Sequence, residues 1–264
     1  MINPLLFKSP VAIEAGAHRA LRIKPASRDW SVAGELNAMF IATVEFGDAC
    51  AEYPIVFVNA GNDAQGQRQV APITVFGLRE KENLYVEGGR WRVGYIPALL
   101  QAYPFGVARL DDSRMAVVID QSWSGWSATE GAALFDEQGQ PAEYLKGMRD
   151  QLERVEAEIQ RTRLFSKLLL DADLLADMRF DATLTDGQKV SVEGFLAVDE
   201  KKLAMLPDEK VLELHRSGAL GLIHAHQISM RNMRKLIGWR QARERTAGAA
   251  AADPANEPAA RQAA

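Results

Sequence analysis

Side chains capable of chemistry are scattered through these 264 residues and form no recognised motif. His18 and His215 stand alone, and His224 with His226 is the only close histidine pair. Two residues apart on a helix, such side chains point to roughly opposite sides and cannot share a metal. The surrounding pattern is helical, so no metal site is expected. Cys50, the single cysteine, lies between Ala49 and Ala51 and is expected to pack as a small buried side chain. There is no glycine-rich phosphate loop in either nucleotide-binding spacing and no Gly-x-Ser-x-Gly elbow, which argues against nucleotide chemistry and serine hydrolysis. Carboxylates are plentiful, but Asp111-Asp112 and Asp171-x-Asp173 look like turn and capping residues. The sequence suggests no cofactor, and the balance leans away from an enzyme.

Aromatic residues are the one class whose clustering suggests a surface role. Trp91, Tyr95 and Tyr103, with Phe105, precede Trp123 and Trp126, which lie in Gln121-Ser122-Trp123-Ser124-Gly125-Trp126-Ser127. Tryptophans in a Ser/Gly loop either fold back to cap a sheet or form a recognition patch, because Trp and Tyr combine large contact area with a polar tip. Trp91, Tyr95, Tyr103, Trp123 and Trp126 are therefore the candidate interaction surface. The basic group Arg231, Arg234, Lys235 and Arg240 sits at the end of an expected helix, where it complements the helix dipole. It lacks the interleaved stacking residues of a nucleic-acid patch.

Two Tyr-Pro steps, Tyr53-Pro54 and Tyr103-Pro104, bracket the densest aromatic, Gly and Pro segment. The run Glu45-Phe46-Gly47-Asp48-Ala49-Cys50-Ala51-Glu52-Tyr53-Pro54-Ile55-Val56-Phe57 is followed by Phe76-Gly77-Leu78, Glu82-Asn83-Leu84-Tyr85-Val86, Trp91 through Tyr95-Ile96-Pro97, Tyr103-Pro104-Phe105 and Val118-Ile119-Asp120. This pattern resembles the bacterial SapC family, whose name comes from an association with surface layers, and the resemblance continues to about Trp239. It implies an accessory or interaction protein with a protein partner. Genes for related proteins often neighbour those for halogenase-like flavoproteins, cupin-like proteins and TonB-dependent receptors, which implies service to a nutrient-uptake or modification system. The alternatives are an enzyme with a site under the aromatic cluster and a surface-layer-associated component.

With 47% hydrophobic residues the chain has ample material for a core, and its net charge of −4 supplies no general attraction to nucleic acid or anionic membrane. The start, Met1-Ile2-Asn3-Pro4-Leu5-Leu6-Phe7-Lys8, lacks the basic region of a secretory signal, and no segment approaches the roughly 20 apolar residues of a membrane helix. The expectation is a cytoplasmic protein without membrane insertion. Envelope association and homo-oligomer formation stay open.

These side chains must be positioned by an α+β fold. Residues 1–140 are expected to be β-rich, as a mostly antiparallel sheet of short apolar runs divided by turns. Predicted strands cover Tyr53 to Val58, closed by Asn59 to Asp63, then Val70 to Leu78, and a hairpin from Asn83 to Tyr95 through Glu87-Gly88-Gly89. Pro54 and Pro72 are placed at strand starts, and Pro97 and Pro104 flank a bend or short helix. Met115 to Asp120 is expected as a central strand buried on both faces.

Residues 141–240 supply a long amphipathic helix opened by Pro141, a hairpin turning at Thr185 to Gln188, and C-terminal helices, all packed on the first region. Leu145, Met148, Leu152, Val155, Ile159 and Thr162 form the helix's apolar seam, with Arg149–Glu153 and Arg154–Glu158 as neighbouring charges. Asp199 and Asp208 are expected to cap short helices, Gly218 to end the second, and Ala219 to Trp239 to form one long helix. Residues 241–264 are expected to be a disordered Ala-rich tail.

Overall fold

Strands from both halves of the chain meet in one sheet. The computed structural model describes residues 2–24, 29–109, 115–183, 187 and 189–251. The elements in chain order are β1 (Pro10–Ala12), α1 (Ala15–His18), β2 (Arg22–Ile23), β3 (Ala38–Phe40), α2 (Phe46–Ala49), β4 (Ile55–Asn62), β5 (Arg68–Val75), β6 (Val86–Glu87), β7 (Arg90–Trp91), α3 (Ala98–Ala102), β8 (Phe105–Arg109), β9 (Met115–Asp120), β10 (Trp126–Ser127), β11 (Ala132–Ala133), α4 (Glu143–Asp171), β12 (Leu175–Thr183), β13 (Lys189–Val198), α5 (Glu200–Ala204), α6 (Asp208–Arg216), α7 (Ala219–Ser229) and α8 (Met233–Ala251). All strand pairings are antiparallel, and the class is α+β. The main sheet has the order β12-β13-β4-β5-β3, so the late hairpin extends the early sheet. Smaller sheets have the orders β1-β9-β8 and β10-β2-β11, and β6 pairs with β7.

Helix α4 joins two apolar cores. Leu145 and Leu152 enter one with Phe105, Ile119 and Leu134. About four to five turns further on, Phe165 and Leu169 enter the larger core with Phe46, Phe57 and Tyr53. The apolar seam therefore lies on the protein's own sheets, and Glu158 pairs with Arg161 instead of Arg154. Between the cores, the Thr162 hydroxyl accepts the Thr43 N–H at 2.9 Å while donating to Glu158 O.

Strand β13 meets β4 in register only at Leu196 opposite Phe57. Beyond that point α7 inserts side chains in place of ladder bonds. His226 Nδ1 donates to Ile55 O at 2.8 Å, Nε2 accepts the Val198 N–H at 3.1 Å, and Ser229 Oγ accepts the Ile55 N–H at 2.9 Å. These partners fix a neutral imidazole, and burial lowers its pKa to about 4. His224 lies exposed on the other side of the same helix, consistent with the helical reading of the pair.

Several boundaries differ from expectation. The strand from Ile55 runs on to Asn62 through an irregularity between Asn59 and Asn62, with Gly61 at φ 89°, so the turn is at Asp63 to Gly66. Pro72 sits inside β5, where its carbonyl accepts the Ile41 N–H; the missing donor thus faces the end of β3 and costs no bond to β4. β9 is central in its sheet, yet burial is confined to Val118–Asp120. Pro207, not Asp208, is the N-cap of α6, whereas Asp199 does cap α5 by accepting from Lys201 and Lys202 N–H. The expected helix from Ala219 to Trp239 is broken by a 3-10 turn at Met230–Asn232, where Asn232 Nδ2 donates to Cys50 O and Tyr53 O. α8 then continues to Ala251, past position 241, where a disordered tail was expected to begin. Cys50 is half-buried. Residues 111, 112, 185, 186, 188 and 252–264, which carry other turn and tail expectations, lie outside the described residues.

Candidate functional site

The five candidate aromatic residues fall into two groups. Trp91 and Tyr95 belong to the larger core: Trp91 stacks on Tyr85 at 5.9 Å and meets Trp30 and Phe76 edge-on. Its indole N–H donates to Tyr53 Oη at 2.6 Å, Tyr53 donates to Tyr95 O, and Tyr95 Oη donates to Glu45 Oε2 at 2.7 Å. Burial raises the pKa of both tyrosines, so each hydroxyl keeps the proton it donates. These rings are held in place and their polar tips are consumed internally.

The second group is built around Asp120 at the end of β9. Here the β1–β9–β8 sheet opens, with Pro10 opposite Asp120 and Phe105 opposite Ile119. The side chain is wholly buried, at 0% exposure. It accepts five hydrogen bonds: Lys8 N–H at 3.1 Å, Ser9 N–H at 3.0 Å, Tyr103 Oη at 2.9 Å, Ser122 N–H at 3.1 Å and Ser122 Oγ at 2.7 Å. Burial opposes its charge, but bonds from Ser122, Lys8, Tyr103 and Ser9 outweigh burial and hold its pKa below the usual carboxylate value. Burial, reinforced by the bond to Asp120, raises the pKa of Tyr103. Asp120 thus ties together the segments before β1, before β8 and after β9.

The tryptophans of the following loop divide in the same way. Trp126 donates its indole N–H to Asp120 O at 2.8 Å and packs edge-on against Phe105 at 5.6 Å. Trp123 meets Trp126 edge-on at 5.1 Å, but among the described residues its indole N–H has no partner. Gly125 makes that placement possible: a Cβ there would lie 2.1 Å from the Trp123 ring.

Trp123 and Tyr103 line a cleft of about 890 Å³ with Lys8, Ile23, Lys24, Asp29, Trp30, Val32, Gln101, Pro104, Ser122, Ser124, Gly125, Ala132, Tyr144 and Met148. That volume is within the range of about 300–1,000 Å³ typical of ligand sites. Two smaller hollows of about 370 and 310 Å³ lie under α4, on walls that share Val107 and Met115. Residues 13–236 match the family model SapC. The chain belongs to the SapC family. The match takes in β9, the tryptophan loop and α4, while Lys8 and Ser9, which supply two of the donors to Asp120, precede it. No curated protein and no solved structure matches the chain.

Of the sequence candidates, then, Tyr103 and Trp123 share the cleft of this SapC member, Trp126 packs edge-on against Trp123, and Trp91 and Tyr95 sit elsewhere. Asp120 was not among the candidates, although a carboxylate ending an apolar strand two residues before a serine was visible. Trp30, Gln101 and Tyr144 reach the cleft from distant segments, and no local pattern marks them. No helix of the described residues is long and apolar enough to cross a membrane, and no group of three or more His, Cys, Asp or Glu among them could hold a metal ion.

Proposed function

We propose that this SapC protein is a non-catalytic accessory protein that recognises a protein partner through the Trp123 cleft. The observation carrying this reading is Trp123: a large ring on a cleft wall whose polar tip is left unused, beside hydroxyls held rigid by Asp120. Fixed aromatic anchors with an open face are the residues that dominate binding energies at interfaces. The buried carboxylate that holds two of the cleft's hydroxyls weighs against an enzyme. A general base must take up a proton near neutral pH, and Asp120 is saturated with donors and shifted towards lower pKa. A role beside an uptake or modification system, as the family resemblance implies, fits a recognition protein of this kind.

The test is co-purification from the native host with wild type, Trp123→Ser and a distant control, Met205→Ser, at a position 83% exposed. A partner retained by wild type and the control but lost by Trp123→Ser is the expected result. A solitary monomer that turns over a small molecule would overturn the reading.

A further inference from the structure

The two edges of the main sheet are finished differently. β3 closes one side with three residues, the short form in which a row of unpaired N–H and C=O groups invites little further pairing. β12 closes the other with nine. Among the described residues its strand partner is β13 alone, and no helix packs along its outer side. This edge, Leu175-Ala176-Asp177-Met178-Arg179-Phe180-Asp181-Ala182-Thr183, contains no proline or lysine to spoil pairing. The irregularity in its ladder puts the extra residue in β13, which advances three places from Phe195 to Val192 while β12 advances two from Met178 to Phe180. The outer strand is therefore regular, with alternate backbone groups open to a further strand.

Charge decides which strand that is. Asp177, Arg179 and Asp181 alternate along the exposed face, while Phe180 packs partly on the larger core. A row of one sign would repel a second copy in every register; a mixed row does not. When identical antiparallel strands pair about a two-fold axis perpendicular to the sheet, each residue faces one of the same parity. The registers near the middle of β12 are thus centred on Met178, Arg179 or Phe180. Centring on Arg179 sets arginine against arginine and Asp177 against Asp181. Centring on Met178 sets Asp177 against Arg179 twice, and opposite charges across a strand pair attract where like charges repel. That register also covers Met178, which is 43% exposed, with its own copy and faces Phe180 with Ala176. It supplies Asp177 with a cation, whereas centring on Phe180 would face Asp177 with Thr183. Arg179 bonds Asp181 through Nε at 2.8 Å, so its terminal nitrogens are left for Asp177 of the second copy.

We infer that β12 is a homodimer interface, in which two copies pair β12 with β12, antiparallel and centred on Met178, to make one ten-stranded sheet from two five-stranded ones. No residue of β12 lines the Trp123 cleft, so this surface is separate from the one proposed to recognise a partner protein.

Analytical ultracentrifugation of the full chain tests it. Wild type should pass from monomer to dimer as its concentration rises from about 1 to 100 μM, and exchange of the β12 amide hydrogens should slow over the same range. Arg179→Asp makes the exposed row uniformly acidic and should weaken the dimer about tenfold or more. Circular dichroism and the urea midpoint at low concentration should stay at wild-type values, because an exposed ion pair contributes little to folding. Asp177→Arg combined with Arg179→Asp exchanges the two charges and should restore the dimer to within a few-fold of wild type. A wild type that stays monomeric, a dimer indifferent to Arg179→Asp, or a loss that the exchanged variant does not recover would each overturn the inference. A β12 edge that binds a different protein while the chain remains monomeric would overturn it as well.

Discussion

Trp91 with Tyr95 and Trp123 with Tyr103 use the same side chains for different ends. In the first pair every polar tip is spent within the core, through Tyr53 and Glu45, and the rings interlock with Trp30, Phe76 and Tyr85. In the second, Tyr103 is committed to Asp120 while Trp123 keeps an unspent N–H on a cleft wall. Residue type does not separate a structural aromatic residue from a recognition one; the destination of its polar tip does. The largest effect expected from this contrast is at Trp91. Trp91→Ala should lower stability by about 3–5 kcal/mol, because it removes three ring contacts and the N–H that Tyr53 Oη accepts. Urea denaturation would measure this, and a loss under about 1 kcal/mol would erase the distinction.

The two regions should also respond to acid in separate windows. His226 plugs the seam between β4 and β13 as a neutral ring with a folded pKa of about 4, below the 6.5 of an unperturbed histidine. Its stabilising contribution is complete above pH 6.5 and is lost as pH falls towards 4, because the unfolded chain takes up the proton that the folded one refuses. From those values the loss amounts to about 3 kcal/mol. Asp120, held below its ordinary 3.8, contributes fully above that value and fails only as pH drops through its lower folded pKa. Denaturant titrations at pH 7, 5 and 4 should show the first loss in wild type and not in His226→Asn. Asp120→Asn should cost about 2 kcal/mol at pH 7 by leaving donors facing an amide N–H, and should remove the response at the acid end.

Much of this contrast was hidden from the sequence for a physical reason. Periodicity found α4, because burial on one helix face repeats every three or four residues, and it found the hairpins, because Gly88 and Gly89 at positive φ leave a local signature. It could not find that β13 lies beside β4, because the paired Leu196 and Phe57 are 139 positions apart and the partner is chosen by packing. It also could not see that a helical pattern from Ala219 to Trp239 is interrupted, since the break comes from Asn232 turning to the carbonyls of Cys50 and Tyr53. For the site, the aromatic set was legible residue by residue. Its division into core and cleft depends on which hydroxyl or N–H meets Asp120 or Glu45, a tertiary fact.

The sharpest test separates two tryptophans three positions apart. Trp126→Ser should cost about 2 kcal/mol, because the indole bond to Asp120 O and the packing on Phe105 are both lost. Trp123→Ser should cost about 1 kcal/mol or less, since its ring is partly exposed and its N–H has no bond to lose. Gly125→Ala provides the control that leaves Trp123 in the chain. Its new methyl, 2.1 Å from the outer atoms of the ring, must displace the ring, which has cleft space on its other side. Stability should then change little, yet partner binding should fall as far as in Trp123→Ser. If Trp123→Ser and Trp126→Ser prove equally destabilising, the loop is a structural cap throughout and the recognition face lies elsewhere. If Gly125→Ala binds like wild type, the position of the ring is not what the partner reads.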